Sequence, residues 1–171
     1  MKINWHRLTR RTHYWASLLV LITAPIVIVT GVLLQLKKEV AWIQPKSQTG
    51  SGTVPSISFE TILKAAAAVP QAGITDWEDI DRLDVRPDKG IVKVRSRNRW
   101  EVQVDTSSGR VLQTEFRRSD WIESIHDGSF FHPKAKLWLF LPSGVVLFCL
   151  WLSGVYLFGR PFLVKLRARR P

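Results

Sequence analysis

The chain has 171 residues, enough for one modest domain plus a little more, and carries 25 Lys and Arg against 14 Asp and Glu, a net charge of +11. Such a balance would fit a nucleic-acid binder, but its distribution excludes that class. All 14 acids lie between Glu39 and Asp127, while Lys2, Arg7, Arg10 and Arg11 at one end and Arg160, Lys165, Arg167, Arg169 and Arg170 at the other have none among them. Basic ends flanking apolar runs are what membrane topology produces.

From Thr12 to Leu36 there are 25 residues without formal charge, counting His13 as neutral. As a helix they would be about 37 Å long, more than the roughly 30 Å of a bilayer's hydrocarbon core. The run is too long for a cleavable signal peptide, and no small-x-small site precedes Lys37, so an uncleaved anchor is expected. Pro25 predicts a kink or local loosening, and Thr30-Gly31 a small surface for close helix packing. His13, Tyr14 and Trp15 open the run, where amphipathic rings favour the interface.

Lys37-Lys38-Glu39 ends the apolar stretch, and the Ser-, Gly-, Thr- and Pro-rich residues from Ser47 to Ser58 read as a linker. Ser58 caps a predicted helix running to Val69, before Pro70. Alternation then predicts strands over Arg82–Arg86, Ile91–Ser96, Trp100–Val104 and Val111–Phe116. Pro87-Asp88-Lys89-Gly90, Arg97-Asn98-Arg99 and Asp105–Gly109 supply the turns. One helix followed by antiparallel strands makes a small α+β domain. Lys93, Arg95 and Arg97 point away from Val92 and Val94, and a solvated sheet face is expected there, with binding of an acidic partner or lipid head groups as the alternative.

Ser119 is expected to cap a short helix over Asp120–His126, closed by Gly128, whose Trp121, Ile122 and Ile125 would face a membrane surface. Leu137–Gly159 gives 23 uncharged residues, a second span of about 34 Å, with Pro142 near its start where it disturbs least. Ser153-Gly154-Val155 echoes Thr30-Gly31-Val32, offering a packing surface between the helices or across a dimer. Both basic tails are predicted to be cytoplasmic. They hold nine cations, against six on the outer flanks (Lys37, Lys38, Lys46, Arg118, Lys134 and Lys136).

No HExxH, CxxC or G-x-S-x-G is present, and the single Cys149 lies in an apolar run, so neither soluble-type hydrolysis nor a thiolate metal site is supported. The four histidines are the candidates for chemistry. His6 lies in the basic tail and reads as solvated; His13 sits at the inner end of the first span; His126 and His132 precede the second. Imidazole at a helix end can ligate haem iron or simply donate an interfacial hydrogen bond. His13 and His126, nearly a bilayer apart, cannot share one iron within a monomer.

The residues resemble the PepSY-associated transmembrane proteins, in the short two-span form. The resemblance rests on Trp5-His6-Arg7, His13-Tyr14-Trp15 and Thr30-Gly31-Val32-Leu33-Leu34 around the first span. It continues through Asp79–Pro87, Trp100–Asp105 with Gly109–Leu112, and Ser124–Phe131. It implies an α+β protein of the bacterial inner membrane: two transmembrane helices flanking a periplasmic PepSY-type domain, a helix packed on an antiparallel sheet. The expected order is a cytoplasmic basic tail (1–11), transmembrane helix (12–36), linker (37–57), PepSY-like domain (58–118), interfacial segment (119–136), second transmembrane helix (137–159) and second cytoplasmic tail (160–171).

Three functions follow from the resemblance and the residues. The first is a non-enzymatic accessory protein that docks to a larger membrane complex or to a second copy. The second, suggested by larger PepSY-TM proteins that look like haem-carrying ferric-siderophore reductases, is a b-type haem protein with His13 and His126 as ligands and His132 as a substitute; with two spans it would need to oligomerise. The third is peptidase restraint by the Ser58–Arg118 fragment. The expected partners are the lipid bilayer and a protein or homodimer partner, with no nucleic acid and no catalytic residue.

Overall fold

The structure is a computed structural model that describes residues 5–168. The His6 side chain and the ends of both basic tails lie outside the described residues. The chain divides into two compact units, one made of residues 32–123 and the other of the segments on either side.

In the flanking unit, the first apolar run is two helices, α1 (Trp5–Leu19) and α2 (Thr23–Gln35), with axes 68° apart. The kink expected from Pro25 is thus a full break, placed at Val20, Leu21 and Ile22. The position follows from the proline: it has no N–H for the Leu21 carbonyl, four residues back, and its ring would collide with that carbonyl in a continuous helix. Restarting at Thr23 puts Pro25 in a first turn, where no donor is needed. Helix α5 (Leu141–Ala168) packs against α1 and is preceded by a π-helical turn, Lys136–Phe140. That wider turn lies where Pro142 would crowd the Trp138 carbonyl.

Lys136–Pro161 is long and apolar enough to cross a membrane, with 26 residues, a mean hydropathy of 1.9, and only 11% of its apolar window buried within the chain. Eleven large apolar side chains between Leu137 and Phe158 are exposed. At about 1.5–3 kcal/mol for full burial, scaled to their partial exposure, leaving them in water would forfeit roughly 10–20 kcal/mol, as much as the typical net stability of a domain at about 5–15 kcal/mol. This surface requires lipid or protein around it.

The unit of residues 32–123 is a four-stranded antiparallel meander in the order β1 (Ile80–Arg86), β2 (Ile91–Ser96), β3 (Trp100–Asp105), β4 (Val111–Phe116). Helix α3 (Phe59–Ala67), capped by Ser58 through the Thr61 N–H, covers one face. Ile62, Ala66, Ala72 and Ile74 pack there against Val92, Val94, Val102 and Val104.

The opposite face differs from expectation. Lys93 is only 3% exposed rather than solvated, because the supposed linker lies across the sheet as a strap. The Gln48 N–H donates to Gln103 Oε1 at 2.8 Å, and Gln103 Nε2 donates to the Lys46 carbonyl at 3.0 Å. Ser51 donates its N–H and hydroxyl to Asp105 Oδ2 at 2.9 and 2.8 Å, and the Gly50 N–H bonds the Lys89 carbonyl at 2.7 Å. The strap fits because glycines meet: a Cβ on Gly90, whose φ is +63°, would lie 1.9 Å from the Gly52 carbonyl oxygen.

Helix α4 spans Arg118–His126 and closes at Gly128, φ +83°. Ser119 is therefore not its cap. It is 1% exposed, inside the first turn, with its N–H donated to the Ile43 carbonyl at 2.7 Å. Ile122 is buried, whereas Trp121 is about 42% exposed.

Candidate functional site

His13 lies on α1 with its Nδ1 2.7 Å from Ser153 Oγ on α5. The Ser153 hydroxyl has a single proton, and it donates that proton to the Leu150 carbonyl at 2.8 Å. With the hydroxyl proton on that carbonyl, Oγ accepts from a His13 Nδ1–H, the tautomer that leaves the lone pair on Nε2; with the proton turned to the ring, the roles reverse. A cleft of about 270 Å³ adjoins the ring, lined by Thr12, Ala16, Cys149 and Leu150 among others.

His126, the last residue of α4, repeats the arrangement on another helix. Its Nδ1 is 2.9 Å from Thr30 Oγ1, and Thr30 donates to the Ile26 carbonyl at 2.5 Å. With the Thr30 proton on that carbonyl, the same tautomer follows, Nδ1 donating and Nε2 left with the lone pair. Each member of the Thr30-Gly31 and Ser153-Gly154 echo thus holds one histidine by its hydroxyl. The two glycines do not meet each other: a Cβ on Gly31 would meet His126 at the end of α4, at 3.5 Å, and one on Gly154 nothing within 4 Å.

His132 is different. Its Nδ1 accepts the Lys134 N–H at 3.1 Å, so the neutral ring carries its proton on Nε2. The structure does not join His13 and His126 in one cluster, and among the described residues no three His, Cys, Asp or Glu side chains converge as a metal site.

The α+β unit contains a buried charge cluster that the sequence reading missed. Glu101, 1% exposed, accepts from Arg117 Nη1 in a short ion pair and lies 3.1 Å from Lys93 Nζ and 4.0 Å from Arg95 Nε. Arg117 Nε also pairs with Asp120 at 3.1 Å. Burial works against the Arg117 charge, but Asp120 and Glu101 outweigh it and hold its pKa above the usual arginine range. Arg95 moves the other way, lowered by burial and by the neighbouring Arg117 guanidinium. Register was the available signal: counting outward from the Arg97-Asn98-Arg99 loop pairs Arg95 with Glu101 and Lys93 with Gln103.

Beside this cluster, within the same unit, lies a cleft of about 450 Å³ with seven cations and one carboxylate in its lining. Asp84, that carboxylate, is held below its ordinary pKa chiefly by the Arg86 hydrogen bond.

An apolar helix suited to a bilayer, a broken apolar pair before it and a helix-backed meander between them define a membrane protein of mixed α and β structure. The family model for the PepSY-associated TM region matches residues 10–171, and the chain belongs to that family. No curated protein and no solved structure matches it.

Proposed function

We propose that the chain is an inner-membrane accessory protein, with both termini cytoplasmic and the α+β unit periplasmic, that docks through its helices onto a protein partner or a second copy. The observation that carries this reading is the state of α5. Its small positions Gly144, Gly154 and Gly159 are open, a Cβ at each meeting nothing within 4 Å, so none of these close-approach positions is used by packing within the chain. Cross-linking and mass measurement in mild detergent test it. Gly154→Leu should dissociate the assembly while leaving the α+β unit's hydrogen exchange unchanged; a wild-type chain that is strictly monomeric and partnerless refutes the reading.

The two histidine–hydroxyl pairs favour a second reading, a b-type haem protein. Metal-ligating histidines commonly donate their other ring N–H to a fixed acceptor, which orients the ring and leaves its lone pair for iron. His13 and His126 both have that arrangement, so the residues fit the group. Bound haem would supply a one-electron couple, with His13 and His126 each contributing Nε2 and a second copy or partner completing the ligation. An optical spectrum after expression with ample haem decides it. A Soret band lost in His13→Ala or His126→Ala and retained in His132→Ala supports the reading; no band refutes it.

A further inference from the structure

The seven-cation cleft belongs wholly to the α+β unit and stands apart from how the helices are used. Four stretches of chain converge on it: Lys37 and Lys38 just after α2, Lys46 on the strap, Arg86 and Lys89 around the β1–β2 turn, and Lys93 and Arg95 on β2. The carboxylates within reach are already engaged. Asp84 pairs with Arg86 at 2.8 Å and Arg95 at 3.8 Å, while Glu101 serves Lys93 and Arg117. Lys37, Lys38, Lys46 and Lys89 form no ion pair among the described residues.

Arg95 gives the cleft its chemistry. Its side chain is 15% exposed, yet it makes no hydrogen bond among the described residues, and Nε is enclosed without a partner. The carboxylates at 3.8 and 4.0 Å stand beyond hydrogen-bond range. Nε is enclosed, but the Nη groups keep the exposed part of the guanidinium and make no hydrogen bond among the described residues, so they have donors left for an acceptor in the cleft. Its planar fork matches the oxygens of a phosphate, and lysines can neutralise that group as point charges. A merely solvated basic face would spread its lysines over open surface and leave its arginines in water.

We propose that this cleft binds a phosphate-bearing ligand, with Arg95 donating to a phosphate oxygen and Lys37, Lys38, Lys46 and Lys89 supplying the neutralising charge. The phosphate belongs either to a soluble ester or diphosphate or to the head group of an anionic phospholipid. Lys37 and Lys38 follow apolar α2 directly in the chain, the sequence position in which lysines commonly flank a span.

The test uses the full chain, as wild type, as the Lys46→Gln/Lys89→Gln variant and as Lys64→Gln. Lys46 and Lys89 have exposed side chains, and Lys64 pairs with Glu60 outside the cleft lining. Inorganic pyrophosphate is titrated by calorimetry in detergent at fixed ionic strength. Separately, native mass spectrometry counts phosphatidylglycerol retained over phosphatidylcholine. Each lysine near a phosphate is worth about 1 kcal/mol, so the double variant should weaken binding about tenfold or more while Lys64→Gln leaves it unchanged. Loss in the pyrophosphate arm identifies a soluble ligand, and loss in the lipid arm alone identifies a head group. If neither arm separates the double variant from Lys64→Gln, the proposal is overturned.

Discussion

In the unit of residues 32–123, the few buried charges, Lys93, Glu101, Asp105 and Arg117, all have polar partners; in the helical unit, large apolar side chains are exposed. Glu101 is enclosed among three cations, whereas Trp138 on the turn before α5 is 80% exposed. The sheet buries even its polar face under the strap, whereas α5, apolar enough to cross a membrane, leaves its surface to whatever surrounds it. The same chemical change should therefore have different consequences on the two sides.

The largest expected effect is at Glu101. Glu101→Ala leaves Lys93, Arg95 and Arg117 without their shared carboxylate, and breaking a buried pair from one side costs about 3–5 kcal/mol. Hydrogen exchange of β2 and β3 amides in the full chain should accelerate accordingly, with α5 unaffected. Unchanged exchange would mean the cluster is not what holds this face.

Next comes the strap. Gly90→Ala places a Cβ 1.9 Å from the Gly52 carbonyl oxygen at a φ of +63°. The left-handed conformation alone costs about 1–2 kcal/mol, and the clash adds to it. Amides of residues 48–57 should lose protection before those of β2 and β3. Simultaneous loss would show that strap and sheet open as one.

Acid should release the same strap by another route. Hydrogen bonds to Asp105, chiefly from the Ser107 N–H and the Ser51 hydroxyl, hold its pKa well below the usual carboxylate range. A depressed folded-state pKa means its contribution is complete above the unfolded value, about 3.9, and is lost as pH falls through the folded one. Strap protection, corrected for intrinsic exchange, should fall below about pH 4. Asp105→Asn should weaken the strap at neutral pH and flatten that dependence.

How much of this was legible follows from where each cause lies in the chain. β2 and β4 have the bounds that alternation and turn residues predict, since both signals are local. Pro25 announced a disturbance in the first apolar run; the break three to five residues earlier follows from the carbonyl the ring would strike. The strap was illegible, because Ser, Gly, Thr and Pro say only that the segment makes no ladder of its own, and its partners are distant strands. Alternation placed Lys93 and Arg95 opposite the core but could not say what covers them. The histidines stood out as candidates, while their hydroxyl partners lie 140 and 96 residues away. Only the repeated small-residue motif hinted at a shared role for Thr30 and Ser153, and it pointed to glycine packing.

The smallest effect should come from removing those hydroxyls, and it sharpens the comparison most. Ser153→Ala and Thr30→Val each delete a hydroxyl hydrogen-bonded to an imidazole Nδ1. Polar contacts between membrane helices average about 0.6 kcal/mol, because a chain loosened within the bilayer finds other partners for the freed group. Either change should therefore shift the unfolding midpoint far less than Glu101→Ala, although both remove a polar contact from a polar neighbour. A loss as large as that at Glu101 would mean the helical interior is as tightly specified as the sheet. A small loss of stability accompanied by a changed imidazole tautomer ratio in nitrogen NMR would show that the hydroxyls serve to aim the rings rather than to hold the helices.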